Sequence, residues 1–280
     1  MIAARPLLVV TPTLGRSPWL DRTVASVAVH AGPHAQHILV APAEVLDDLR
    51  RRYPQCPLVA DTVARGVYPA LNLGLANAPD PRWSWFTWLN DDDEFAPGFT
   101  PHLARALAHD GRKFNAPWCY GPVRLRNGDD ADLGGLAVAR FPSDIMPLVQ
   151  SGINPLNQQG LLVPRAWVDR LSPLREDLRI CADLDFWLRA VVTGARFRCS
   201  SEVVAVFRLR AGQISGDVSQ HRAEFAKVSQ ALTLVPCSPL RRLAARVRFR
   251  IGNAGVYAGR FRRSGWKGGY ALLRQPTRKP

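Results

Sequence analysis

Residues 82–95 read RWSWFTWLNDDDEF, an aromatic run that stops at four consecutive carboxylates. Trp83, Trp85, Phe86, Trp88 and Leu89 have the alternating apolar character of a buried strand. Asp91, Asp92, Asp93 and Glu94 follow Asn90 at its end. Such a cluster repels itself unless it is solvated or compensated by a cation or a set of donors. Open α/β sheets bind ligands beyond the carboxyl ends of their strands. Mg2+ takes one or two carboxylates together with phosphate oxygens. The stretch therefore reads either as a site for a metal-bound diphosphate or as a solvated acidic turn, and the rest of the chain must decide.

The rhythm around it is that of a doubly wound sheet. Apolar runs at 7–11, 37–41, 58–60 and 83–89 read as strands. Between them 17–27, 43–53 and 69–78 read as helices, the first with Ser17 as cap and Leu20, Val24 and Val27 on one face. Short strands alternating with helices predict a mostly parallel, Rossmann-like central sheet flanked by helices. After a helix at 100–109 the pattern loosens. Strands are expected at 118–125, 159–163, 195–198 and 203–209, with helices at 143–149, 165–171, 180–193 and 218–234. This is an α/β unit over 1–236, with a regularly alternating half (1–110) and a more mixed half (111–236), followed by a tail (237–280).

Composition narrows the class. A hydrophobic content of 47% suits a packed core and argues against disorder. Five scattered cysteines without a CxxC suggest buried thiols in a reducing, cytoplasmic setting. No apolar run reaches the length of a membrane span. The net charge of +14 is concentrated at one end: residues 241–280 hold 12 Lys and Arg and no acid, whereas residues 1–240 hold 25 basic against 23 acidic residues. A nucleic-acid-binding domain would more often spread its basic residues over the body, so no nucleic-acid partner is expected.

Three ordered motifs then coincide with one family. Arg65 to Gly74 (RGVYPALNLG), Trp88 to Phe95 (WLNDDDEF) and Ala182 to Arg189 (ADLDFWLR) resemble segments of family 2 glycosyltransferases, and Val10-Thr11-Pro12-Thr13 resembles that family's first strand and turn. The resemblance spans roughly residues 7–215. It implies a GT-A fold: a nucleotide-sugar-binding α/β half joined to an acceptor-binding half. It implies transfer of a sugar from a nucleoside-diphosphate donor to a hydroxyl of a glycan or lipid-linked acceptor, with Mg2+ or Mn2+ and inversion at the anomeric carbon.

Residue by residue, Asp92 and Asp93 match the family's acidic pair at the metal and diphosphate, with Asp91 in place of a small residue before them. Asp183 matches the carboxylate assigned as general base, and Asp185 is the near alternative. On a helix Asp183 shares a face with Trp187, and Asp185 points the opposite way, so one carboxylate alone should face the site. Trp187 is a candidate floor for a sugar ring, against core packing as the plainer role. Thr13, Arg16, Arg65 and Asn72 are donor-side candidates, and Gln158 stands where the family often carries His near the acceptor. In RLRAGQIS (208–215), Ser215, and beyond it His221, are weaker candidates for the phosphates. Ala64, Pro69 and Ala41–Glu44 depart from the family pattern around the nucleoside, which leaves the base open. They also leave open a non-catalytic binding module or a membrane-docked scaffold. Nucleotidyl transfer, the third class using paired carboxylates, would need further ligands.

In the tail, PLRRLAARVRFRI (239–251) carries Leu240, Leu243, Ala244, Val247 and Ile251 at helical spacing among five arginines, with Ser238 as cap. A basic amphipathic helix of this kind reads either as a peripheral membrane-surface element over 239–279 or as a helix whose apolar stripe packs on the body. The Gly- and Arg-rich segment after Gly252 is expected to be partly disordered.

Overall fold

The structure, a computed structural model, describes residues 5–210, 213, 216–231 and 236–271, with the side chains of 263–271 excepted. The first half runs β1 (Leu7–Pro12), α1 (Leu20–His30), β2 (Ala35–Pro42), α2 (Leu46–Arg52), β3 (Leu58–Asp61), α3 (Val67–Ala76), β4 (Trp85–Trp88), β5 (Glu94–Phe95) and α4 (Phe99–Leu107). The second runs β6 (Trp118–Tyr120), β7 (Val123–Asn127), β8 (Asp132–Leu136), α5 (Ile145–Val149), β9 (Val163–Pro164), α6 (Arg165–Leu171), α7 (Ala182–Val192), β10 (Phe197–Cys199), β11 (Ala205–Leu209) and α8 (Val218–Ala231). Two further helices close the chain, α9 (Pro239–Gly252) and α10 (Ala254–Ala271).

The central sheet has the order β3-β2-β1-β4-β9, parallel throughout except for β9. Every residue of β1 is buried because both faces of the sheet are covered. Alternate side chains go to different cores: Leu8 and Val10 pack with Leu71, Trp88 and Phe186, whereas Leu7 and Val9 pack with Val27, Trp85 and Phe99. Leu20 and Val24 of α1 join Leu39, Ala41 and Leu49 in a third cluster. Gly74 lets α3 lie close on β1, since a Cβ there would meet Val10 at 2.6 Å.

The second half departs from the expected strands. The run 118–125 is two strands, broken at Gly121-Pro122, because Pro lacks the N–H that a continuous ladder would use. β6 pairs with β10, while β7 joins the sheet β5-β11-β7-β8. β5 and β8 carried no signal: the first has two residues, and the second contains Gly134 and Gly135. The helix expected to end at 234 is seen to Ala231, and 232–235 lie outside the described residues. Of the segment after Gly252, expected to be partly disordered, the backbone is helical over Ala254–Ala271, and 272–280 lie outside the described residues. All five cysteines are free, with Cys56, Cys119 and Cys181 buried. Among the described residues no helix is long and apolar enough to cross a membrane.

Candidate active site

The four consecutive carboxylates turn to four different sets of partners. Asp91 accepts a hydrogen bond from the Thr13 hydroxyl at 2.6 Å, tying the end of β4 to the turn after β1. Asp92 accepts from Arg210 Nε at 2.5 Å. Asp93 is 0% exposed. Its oxygens accept from the Arg208 backbone amide at 3.0 Å, from Gln159 Nε2 at 3.0 Å and from Asn90 Nδ2 at 3.3 Å. Glu94 accepts from Arg208 Nη2 at 2.5 Å. Arg208 is itself fully buried and also donates to Asp130 at 2.8 Å, over the face of Trp19. The cluster is thus compensated by donors from β11 and the 157–160 segment, and it is not a solvated turn.

Asp91 and Asp92 line a cleft of about 290 Å³ at the carboxyl end of β4, together with Asn90 and Asp183. Burial raises Asp91 to about 6, against the lowering bond from Thr13. Burial and the adjacent Asp92 push Asp93 well above the usual carboxylate range. Asp93 does not line the cleft. Of the pair expected to share an ion, Asp92 lines the cleft and Asp93 lies buried behind it among amide donors.

Asp183 opens α7 and is half-buried at the cleft wall. Burial raises it to about 7, although the Leu184 amide (2.6 Å) and the Tyr68 hydroxyl favour its charged form. Asp185 lies on the other side of the helix, 3% exposed, held by Arg189 Nε at 2.7 Å and Arg175 Nη1 at 3.5 Å. It does not reach the cleft, which removes it as a base. Trp187 is 0% exposed in the main core, and so is no platform for a sugar: nearly the whole circumference of α7 is buried. The turn before α7 is fixed from α8 by Glu224, which accepts from the amides of Arg179 (3.0 Å), Ile180 (2.8 Å) and Cys181 (2.9 Å). Burial works against that charge, but the three amides outweigh it and hold Glu224 below its ordinary value.

The remaining sequence candidates divide. Thr13 supports Asp91 from behind. Gln158 lines the cleft and donates to Trp88 O at 2.7 Å. Arg16 is exposed outside the cleft lining. Arg65 is exposed and reaches Glu176 at 3.8 Å. Asn72 spends both ends of its amide on the 174–176 segment: Nδ2 donates to Leu174 O at 2.8 Å, and Oδ1 accepts from Leu174 N at 2.9 Å. Arg65 and Asn72 therefore do not face a donor in the cleft, and Asn72 fastens α3 to the loop before α7. His221 lines the cleft, and Ser215 lies outside the described residues.

Sequence reasoning missed Arg208, Arg210 and Gln159. A signal was available: two arginines spaced by two, one on β11 and one just past its end, and one dense acidic cluster for them to meet. Among the described residues no three His, Cys, Asp or Glu side chains converge as a self-contained metal site. The oxygens on offer are those of Asp92 and Asp91 with Asn90 Oδ1, a buried acceptor without a hydrogen-bond partner. That set fits Mg2+ or Mn2+ completing its shell with diphosphate oxygens and water.

Comparison with known proteins agrees with this architecture. Residues 8–129 match the family described as Glycosyl transferase family 2; the match ends before α7, so Asp183 lies beyond it. The S. aureus TarS crystal structure superposes with a TM-score of 0.53 at 11% identity, over 88% of this chain and 43% of that one. S. aureus TarS 1-349 in complex with UDP gives 0.55 at 12% identity, over 95% and 79%. The mannosyltransferase PcManGT from Pyrobaculum calidifontis, in complex with GDP-Man and Mn2+, gives 0.52 at 16% identity, over 97% and 79%. No curated protein sequence matches the chain. The fold is that of the GT-A glycosyltransferases, as the strand order and the motifs led one to expect.

Proposed function

We propose that this chain, matched over residues 8–129 to glycosyl transferase family 2, transfers a sugar from a nucleoside-diphosphate donor to a hydroxyl of a glycan or lipid-linked acceptor, with inversion. The observation that carries the reading is the pairing, across one cleft, of Asp91 and Asp92 with a carboxylate raised to about 7. That value suits a general base working near neutrality. In the step, the acceptor oxygen bonds to the anomeric carbon as the bond from that carbon to the phosphate oxygen breaks. The acceptor proton passes to Asp183, and the electron pair leaves with the diphosphate. Asp92, with Asp91 and Asn90, would hold Mg2+ or Mn2+, which when bound neutralises charge on the leaving diphosphate. Arg210 shares Asp92 and is placed to exchange it for a phosphate oxygen. Neighbours of this fold bind UDP or GDP-Man, which supports a nucleotide-sugar donor and leaves the base open.

The test is donor binding followed by turnover. A panel of nucleoside diphosphates with Mn2+ should raise the melting temperature, and Asp92→Ala should abolish the rise. If no nucleotide stabilises the protein and Asp92→Ala changes nothing, the reading fails. The second reading is a non-catalytic binding module, favoured by the Arg210–Asp92 ion pair, which occupies the carboxylate meant for the cation. Slow hydrolysis of a nucleotide-sugar in the absence of acceptor separates the two, since a module shows none.

A further inference from the structure

α9 is seated with its apolar stripe turned away from the body. α9 meets the body through Ala245 (0% exposed) and Phe249 (6%), backed by Arg248 Nε on the buried Asp144 at 2.9 Å. Asn253, 1% exposed, locks the end of the helix by exchanging hydrogen bonds with both the N–H and the C=O of Val138. This anchoring turns the other face outward. Leu240, Leu243, Val247 and Ile251, which recur on one face at helical spacing, are 76%, 55%, 47% and 70% exposed. Arg241, Arg246 and Arg250 are exposed on its shoulders, and among the described residues none of the three has an ion-pair partner. An apolar ridge left in water by a firmly anchored helix marks an interaction surface.

We propose that this outward face of α9 docks on an anionic lipid bilayer, lying in the headgroup plane with the ridge immersed and the arginines among lipid phosphates. Charge selects the occupant. Residues 241–280 contain 12 basic and no acidic side chains while the body is near neutral, and an apolar line flanked by arginine is the pattern of an interfacial helix. A second copy of this chain would bring arginine against arginine. The docking is independent of the proposed reaction, but it bears on it. α10 holds β8 through Arg260 Nη2 on Gly135 O at 2.7 Å, and the next residue, Leu136, lines the cleft. On the proposed function, such docking would suit an acceptor carried on a lipid.

Flotation of the full chain with vesicles tests this, comparing pure phosphatidylcholine with an equal mixture of phosphatidylcholine and phosphatidylglycerol. The wild type should float with the mixture, and raised salt should release it. Arg246→Glu with Arg250→Glu should weaken binding roughly fivefold or more per site, from about 1 kcal/mol for each basic residue near an anionic surface. Leu240→Ser, Leu243→Ser, Val247→Ser and Ile251→Ser together should abolish flotation while the protein stays folded, because these side chains lie on the exposed face. Equal flotation with pure phosphatidylcholine, or flotation retained by the serine variant, overturns the proposal. So does a wild-type dimer that the serine variant dissociates without either floating, or RNA binding in place of flotation. Donor-induced stabilisation, measured in parallel on the same variants, reports on the cleft separately.

Discussion

Two acidic stretches, one at the end of β4 and one at the start of α7, solve the same problem differently. Each carries more carboxylates than the cleft takes, and each sends the surplus inward. At β4 the surplus is Asp93 and Glu94: burial and the adjacent Asp92 push Asp93 above the usual carboxylate range against the amides that hydrogen-bond it, while Glu94 takes the Arg208 guanidinium. At α7 it is Asp185, which meets the guanidiniums of Arg189 and Arg175. The members left facing the cleft differ too. Asp92 is paired with a cation, Arg210, whereas Asp183 has no ion-pair partner among the described residues and is raised by burial to about 7 against its hydrogen-bond donors. The strand end thus sets a carboxylate against a cation, and the helix start holds one that burial readies to accept a proton.

The largest expected effect breaks this comparison at Asp183. Asp183→Asn should lower kcat roughly 100- to 10,000-fold while calorimetric donor affinity stays unchanged; lost donor binding instead would place Asp183 with the donor. The pH profile carries the same claim. A base must be ionised to act, so activity should rise with pH up to about 7 and level off above it. Stability runs the other way. The folded value lies above the ordinary 3.8, so the contribution of Asp183 is fully present below 3.8 and is lost as pH rises through about 7. Above that pH, Asp183→Asn should melt higher than the wild type.

Next comes the split at β4. Asp92→Asn should weaken metal-dependent donor binding by at least about tenfold, with little change in melting temperature. Asp93→Ala should do the reverse. It strands buried donors on Arg208, Gln159 and Asn90, a cost of about 1–3 kcal/mol, or several degrees in a chain of this size. If Asp93→Ala keeps its stability and loses donor binding, the assignment of the two neighbours is exchanged. The helix gives a milder version. Asp185→Ala leaves Arg175 and Arg189, whose side chains are 31% and 26% exposed and can turn to water, so its thermal loss should fall below that of Asp93→Ala.

How far these roles could be read beforehand depended on the distance to the deciding partner. β1, β2 and β4 were legible because strands buried on both faces are written as largely continuous apolar runs. The opposition of Asp183 and Asp185 was legible because helical geometry alone fixes it. Trp187 was not: sharing a face with Asp183 does not say whether core or cleft lies beyond the side chain. Asn72 and Arg65 look donor-facing in a motif, but their partners sit in the 174–176 segment, over a hundred residues away. The fates of Asp91 to Glu94 were decided by Thr13, Gln159, Arg208 and Arg210, three of them in the half whose strands were hardest to place. The ridge on α9 was visible as a stripe, but its outward direction depended on Asn253 and Asp144, which carry no periodic signal.

The smallest effect sharpens the β4 side. Asp91 sits at about 6 because burial raises it while the Thr13 hydroxyl holds it down. Thr13→Ala removes that donor and lifts Asp91 further, so the group should be protonated over a wider range below neutrality. If Asp91 contributes an ionised oxygen beside Asp92, donor binding in the presence of Mn2+ should then weaken about tenfold or less at pH 6, yet match the wild type at pH 8, where both forms are charged. Thr13→Ser keeps the hydroxyl and should behave as the wild type at both. Equal weakening at both pH values would mean that Thr13 acts by shaping the turn, and that the charge at the end of β4 rests on Asp92 alone.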